Sequence, residues 1–346
     1  MAMMAASRGH ADTATGAPAA VVEPVARKAD DEGRNPGCAL RLDWVADVRV
    51  NRAAAERRAA TVITRRSVKN EAQAAWLVKA VTCTDLTTLN SDDTPGRVRR
   101  LCGKARQPLD PDLQAALGLD DRVIRTGAVC VYHGMVATAV AALDGSGIPV
   151  AAVAAGFPHG LSPMRARVAE VEDSAAAGAS EIDIVISRQH VLRRDWRGLY
   201  DEVAAFRAAC GAAHLKVILG TGDLKTLRDV ARASLVAMMA GADFVKTSTG
   251  KEGVNATLPV ALVMARTVRA YAEATGYRVG FKPAGGISAA KDALAYQTLM
   301  REELGRDWLE PELFRIGASG LVSDIERQLT HFATGAYAAG HRHAMP

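Results

Sequence analysis

The chain has 346 residues, 49% hydrophobic and 23% charged, a composition that suits one or two soluble domains with a sizeable core. Its longest apolar runs, such as Ile148 to Phe157, are broken by Gly and Pro far short of the roughly 20 residues a spanning helix needs, so no membrane association is expected. Five widely spaced cysteines without a Cys-x-x-Cys pair argue against a disulfide framework or zinc knuckle and for a reducing, cytoplasmic compartment.

The formal charge of +5 is local: Arg52, Arg57, Arg58, Arg65, Arg66 and Lys69 against Glu56 account for all of it. No aromatic residues interleave with these arginines, so the run reads as a solvated helix face and no nucleic-acid partner is expected. Residues 1–36 hold almost no large apolar side chains and are expected to be disordered, because they cannot bury enough surface to offset ordering entropy. The first segment lacks the apolar centre of a secretory signal, and Arg8 among Ala, Ser and Thr leaves an organelle-targeting reading open. Residues 37–74, with Leu42, Val45, Val48 and Val50 and then Ala- and Arg-rich turns, are expected to be a helical extension packed on the rest of the chain.

Short apolar runs then alternate with longer amphipathic stretches through residues 75–335, leaving 336–346 as a tail. The expected strands are Leu77 to Thr84, Gly127 to Tyr132, Pro149 to Ala154, Glu181 to Ile186, Leu215 to Leu219, Asp243 to Thr247, Arg278 to Lys282 and Leu313 to Ile316. The expected helices are Arg97 to Ala105, Met135 to Leu143, Pro163 to Ala177, Arg197 to Cys210, Leu224 to Ala240, Pro259 to Ala274, Ala289 to Leu304 and Gly320 to Gln328. Such β-then-α repetition implies parallel strands with right-handed crossovers. Eight units make an α/β chain of the TIM (β/α)8 barrel kind, with a helical N-terminal extension. An open doubly wound sheet is the alternative, but no Gly-x-Gly-x-x-Gly follows the first strand.

In a barrel the strand ends and the loops after them form the mouth where chemistry occurs. Reading the strands to their C-terminal ends yields the candidates Asp85, Cys130, Asp183, Lys246 and Lys282. The two lysines end consecutive strands, about 4.8 Å apart. Two ammonium charges about 5 Å apart repel by about 3 kcal/mol at an effective dielectric near 20, enough to hold a usable fraction of one amine neutral at pH 7. A neutral amine in that setting suits Schiff-base chemistry on a carbonyl. Asp183 alternates with apolar neighbours and points inward, where it can pair with a lysine or relay protons. Cys130 sits at the mouth but also suits plain packing. Glycines follow on the same rim: Gly250 with Thr249 and Lys251, then Gly285 and Gly286, then Gly317 with Ser319. Backbone N–H groups there, ending at a helix N-terminus, suit a phosphate. The histidines are scattered, with only His341 and His343 close together, so no metal and no cofactor is expected.

These motifs resemble the deoxyribose-phosphate aldolase family of class I aldolases. The resemblance runs through Cys-Thr-Asp-Leu-Thr-Thr-Leu (83–89), Glu-Ile-Asp-Ile-Val-Ile (181–186), Leu-Lys-Val-Ile-Leu-Gly-Thr-Gly-Asp-Leu (215–224), Phe-Val-Lys-Thr-Ser-Thr-Gly-Lys (244–251), Gly-Phe-Lys-Pro-Ala-Gly-Gly-Ile (280–287) and Phe-Arg-Ile-Gly-Ala-Ser (314–319). The extension and Ser-Asp-Ile-Glu-Arg-Gln-Leu (323–329) look like the longer, animal-type members. The resemblance implies Lys246 as Schiff-base nucleophile, Lys282 as the cation lowering its pKa, and Asp183 as proton relay. It further implies Asp85, Thr87, Cys130 and Thr249 around the substrate, and Gly250, Lys251, Gly285, Gly286, Gly317 and Ser319 around the phosphate. The implied reaction is reversible cleavage of 2-deoxy-D-ribose 5-phosphate to D-glyceraldehyde 3-phosphate and acetaldehyde, in deoxyribonucleoside catabolism. Phosphosugar and aldehyde substrates are the expected partners, with a homo-oligomer, a dimer first. The chain departs from the pattern at Gly220, where many bacterial members carry Glu, at Gly320, which replaces a second hydroxyl residue, and at its end, where a terminal Tyr is absent and Tyr337 is the candidate to replace it. Two alternatives stand beside this reading: a phosphosugar isomerase or synthase using Asp85 and Asp183 as acid and base, and a barrel kept as a binding scaffold.

Overall fold

The computed structural model describes residues 33–65 and 68–339. Residues 1–32 of the stretch expected to be disordered, Arg66 of the basic run, and the end of the tail with His341 and His343 lie outside the described residues. Three helices come first: α1 (Leu42–Asp47), α2 (Arg52–Arg65) and α3 (Asn70–Thr82). Next come β1 (Thr84–Thr87), α4 (Pro95–Arg106), α5 (Pro111–Ala116), β2 (Ala128–Tyr132), α6 (Val136–Leu143), β3 (Val150–Ala154), α7 (Met164–Ala176), β4 (Glu181–Val185), α8 (Arg188–Arg193) and α9 (Trp196–Ala209). The chain continues with β5 (His214–Ile218), α10 (Leu227–Met239), β6 (Phe244–Lys246), α11 (Leu258–Thr275), β7 (Gly280–Lys282), α12 (Ala290–Leu304), β8 (Ile316–Ala318) and α13 (Leu321–Thr334).

All ladder pairings are parallel, in the order β7-β6-β5-β4-β3-β2-β1-β8. The ends meet through two isolated bridges, Phe281 with Phe314 and Ala284 with Gly317, so the sheet closes into a (β/α)8 barrel. Strand residues facing outward, such as Ile182, Ile184, Val217 and Val245, are fully buried under the helices and belong to the main apolar core. Helix starts follow local capping rules: Thr94 accepts from the Arg97 N–H at 3.3 Å with Pro95 in the first turn, and Thr226 accepts from the Asp229 N–H at 3.0 Å.

The first expected strand, Leu77 to Thr84, is instead the end of α3, and β1 begins at Thr84. Leu77, Ala80 and Val81 are all buried at helical spacing, and a short apolar run does not by itself distinguish a buried helix from a strand. The last expected strand, Leu313 to Ile316, is shifted: β8 starts at Ile316. The short helices α5 and α8 have no counterpart among the expected elements.

The segment leading into the extension is fastened to the barrel at Asn35, only 4% exposed although it falls within the stretch expected to be disordered. Its N–H donates to Asp243 Oδ1 at 2.7 Å, its Nδ2 donates to the Met238 and Ala242 carbonyls, and its Oδ1 accepts from the Tyr271 hydroxyl at 3.0 Å. Trp44 stacks on Tyr271 with centroids 6.1 Å apart, and Arg58 of the basic run pairs with Glu302 and Glu303 on α12.

Candidate active site

Alternation along strands decides which groups enter the barrel. Asp85 on β1, Glu181 and Asp183 on β4, Lys216 on β5, Lys246 on β6 and Lys282 on β7 all meet inside, and Arg315 joins them from just before β8. Lys246 and Lys282 are register partners across β6 and β7. Both donate to one oxygen, Asp183 Oδ2, at 2.7 Å each. Lys282 also pairs with Asp85 Oδ2 at 2.5 Å. Below them Lys216 bonds Asp85 Oδ2 at 2.9 Å and Glu181, while Arg315 bonds Asp85 Oδ1 at 2.6 Å and Glu181 Oε1 at 2.8 Å. The half of the interior nearer β2 and β3 is apolar, with Leu89, Cys130, Ala151 and Val153 clustered against Tyr132 and Phe157.

Four cations thus face three carboxylates, all nearly or fully buried. A buried network with an odd charge gains by losing one proton, and the surroundings decide which. Burial disfavours charge on every member. For Lys282 the carboxylates Asp183 and Asp85 outweigh burial and push its pKa above the ordinary lysine value. Lys216 is likewise raised, by Asp85 and Glu181 against burial. Lys246 differs: burial and the nearby Lys282 ammonium outweigh Asp183, and its pKa falls below the ordinary value. Asp183 is held well below the carboxylate range, because Lys246, Lys282 and Lys216 overcome its burial. These directions agree: Asp183 serves two ammonium groups through one oxygen, and Lys282, which has Asp85 as well, is the one that keeps its proton. The other Asp183 oxygen, Oδ1, is buried, accepts no hydrogen bond and stands 3.6 Å from Lys216.

Above the network lies a cleft of about 550 Å³ at the C-terminal strand ends, with Lys246 in its floor. Thr87, Thr249, Gly250, Lys251, Gly285, Gly286, Gly317 and Ser319 line it. Gly285 and Gly286 have φ of +82° and +77°, a region that costs other residues strain. Ser319 and Gly320 lead into α13, so the positive end of a 14-residue helix faces the cleft. Not every expected residue is there. Asp85 is fully buried beneath the cleft with both oxygens taken by Lys282, Lys216 and Arg315. Cys130 is also fully buried, and burial raises its thiol pKa. The Thr249 hydroxyl and the N–H groups of Thr249 and Gly250 are already given to Glu252. Tyr337 is half exposed and stacks on His331 with centroids 4.3 Å apart, outside the cleft lining.

Lys216, Glu181 and Arg315 escaped the sequence reading. Strand parity could have found two of them, since Glu181 lies two residues before Asp183 and Arg315 two before Gly317 on the same strand faces. Arg97, tied to Asp92 and Asp93, and Arg100 also line the cleft.

Residues 79–307, from the end of α3 through α12, match the DeoC/LacD family aldolase. The chain belongs to that family. It is 56% identical over 309 residues to the deoxyribose-phosphate aldolase of Homo sapiens, covering 89% of this chain and 97% of that one. It is 58% identical over 307 residues to the Mus musculus deoxyribose-phosphate aldolase, covering 88% and 96%. Among solved structures, the tetrameric deoxyribose phosphate aldolase of Aeropyrum pernix shares the fold, with a TM-score of 0.57 and 22% identity over 81% of this chain and 99% of that one. A DeoC/LacD aldolase barrel with a charged interior and a glycine-lined mouth is therefore the setting for the chemistry.

Proposed function

We propose that this chain is a deoxyribose-phosphate aldolase, a metal-independent carbon–carbon lyase that works through a Schiff base on Lys246. The observation that carries this is the odd cation: Lys246 alone among the network's lysines has a lowered pKa, and it alone forms part of the cleft floor. A neutral Lys246 amine adds to the C1 carbonyl of open-chain 2-deoxy-D-ribose 5-phosphate, one proton is taken up from solvent, and water leaves, giving an iminium ion. The proton leaves the C3 hydroxyl, the C2–C3 bond breaks, and its electron pair moves to the iminium nitrogen. D-Glyceraldehyde 3-phosphate departs and an enamine remains. Protonation of the enamine carbon and hydrolysis then release acetaldehyde and restore the amine.

Asp183 is the relay for these protons, through the Oδ2 that accepts from Lys246, and Lys282 is the fixed cation. Thr87 meets the sugar hydroxyls, while Gly285, Gly286, Gly317, Ser319 and the Lys251 ammonium hold the phosphate, with the α13 N-terminus behind them. Asp85 and Cys130 act from beneath, Asp85 by orienting Lys282. A carboxylate pair working as acid and base is less well supported, because Asp85 is fully buried beneath the cleft with both oxygens held by Lys282, Lys216 and Arg315. All five cysteines are free thiols, which supports a cytoplasmic place, and among the described residues no helix is long and apolar enough to cross a membrane. The homo-oligomer, a dimer first, belongs to the same proposal.

Borohydride reduction with acetaldehyde tests the central step. The expected result is one ethyl group on Lys246, absent from Lys246→Ala; an unlabelled wild-type protein would sink the aldolase reading.

A further inference from the structure

Arg188, the first residue of α8, reaches three loops of the barrel mouth. Its Nη1 donates to the His159 carbonyl at 3.1 Å and its Nη2 to the Pro158 carbonyl at 3.3 Å, both in the loop after β3. Its Nε lies 2.9 Å from Asp223 Oδ2 in the loop after β5, and its Nη2 lies 2.9 Å from Glu252 Oε1 in the loop after β6. The Arg188 and Glu252 side chains are only 12% and 3% exposed, so this pair is screened far less than a surface ion pair.

Glu252 passes the restraint on. Its carboxylate accepts the N–H groups of Thr249 and Gly250, at 3.0 and 3.2 Å, and the Thr249 hydroxyl at 2.7 Å. The Thr249 hydroxyl in turn accepts the Lys251 N–H at 3.1 Å. An internal carboxylate therefore folds the rim segment Thr249–Lys251 into a closed turn, and Arg188 supplies the charge that lets that carboxylate stay buried. The space for the guanidinium comes from Gly220: with φ at +64°, a Cβ there would collide with Arg188 Nε and lie 2.8 Å from its Cζ. This gives the departure at Gly220 a physical reason, since a side chain at 220 and the Arg188 guanidinium compete for one volume.

We infer that Arg188 is a positioning residue for phosphate-bearing substrates: through Glu252 it sets the turn that presents Lys251 to the cleft, without touching substrate itself. The inference rests on the aldolase reading. Arg188 makes no bond to the ion-paired network around Lys246, so its removal should spare the covalent step and weaken recognition of the phosphate end. The measurement compares 2-deoxyribose 5-phosphate with unphosphorylated 2-deoxyribose in steady-state cleavage. Arg188→Met is expected to raise KM for the phosphate ester by about tenfold or more, as misplacement of a binding element does, and to leave kcat/KM for the free sugar within about twofold. Arg188→Lys should recover part of the loss, and Arg188→Met combined with Glu252→Gln should be milder than Arg188→Met alone, because no uncompensated carboxylate remains. Gly220→Ala should reproduce the phosphate-specific defect by displacing the guanidinium. Equal losses on both substrates, or no loss on either, would overturn the inference. A wild-type protein that traps acetaldehyde while Arg188→Met keeps full phosphate discrimination refutes the positioning role and leaves the aldolase intact; a wild type that traps nothing removes the aldolase reading itself.

Discussion

Lys246 shows how little separates a structural lysine from a nucleophile. Lys216, Lys282 and Lys246 are all buried in the same barrel and all touch Asp183, yet only Lys246 has no second carboxylate. Replacing Lys282 with Met would remove a neighbouring ammonium that favours neutral Lys246, and would leave Asp183 Oδ2 to Lys246 alone. Both changes stabilise charged Lys246, so its pKa rises towards the ordinary value of about 10.4. The pH profile of imine formation should move to the alkaline side by about one unit or more, measured by borohydride trapping across pH, whereas Lys282→Arg should stay near the wild-type profile. An unchanged profile in Lys282→Met would refute the coupling. The adjacency of the two lysines was legible from the sequence, because each ends a strand and the strands are consecutive. The deeper members were not: Lys216 lies two residues before the end of β5, and strand ends alone say nothing about the layer below the mouth. Arg188 and Glu252 were invisible for another reason, as they meet across 64 residues of chain from two loops with no local pattern to pair them.

At the scale of elements, the repeating β-then-α pattern carried most of the barrel because parallel pairing leaves each strand end at one rim. It failed where the extension joins the barrel. Leu77 to Val81 is apolar enough for a strand, and only packing of α3 against α12 and α13 makes it a helix. Beside the apolar packing of α2 and α3 on α11, α12 and α13, the extension is preceded by a polar anchor at Asn35, whose side chain serves two carbonyls and one hydroxyl in a buried site. Asn35→Ala would leave those groups unsatisfied and should destabilise the protein by about 2–3 kcal/mol. Urea unfolding would show this as a lower midpoint at unchanged slope. A shift below about 0.5 kcal/mol would mean that the packing of α2 and α3, with Trp44 and Arg58, carries the hold without Asn35.

For the whole molecule, the barrel is less evenly laced than its eightfold repeat suggests. Strands β4 and β5 share five register pairs, whereas β7 and the β8 segment meet at two isolated bridges. The proposed phosphate site straddles that thin seam, with Gly286 on one side and Ser319 on the other. A phosphate resting on both would work as a hoop around staves, fastening the first and last strands of the sheet. Hydrogen exchange in the presence of 2-deoxyribose 5-phosphate should then slow at Phe281, Arg315 and Gly317, whose amides cross the seam to Leu313, Phe281 and Pro283, more than at the amides of β4. Equal slowing in both places would mean that the ligand grips only the rim. Where the hoop holds, catalysis and cohesion share one piece of architecture: the barrel is most tightly bound together while its substrate is being cut.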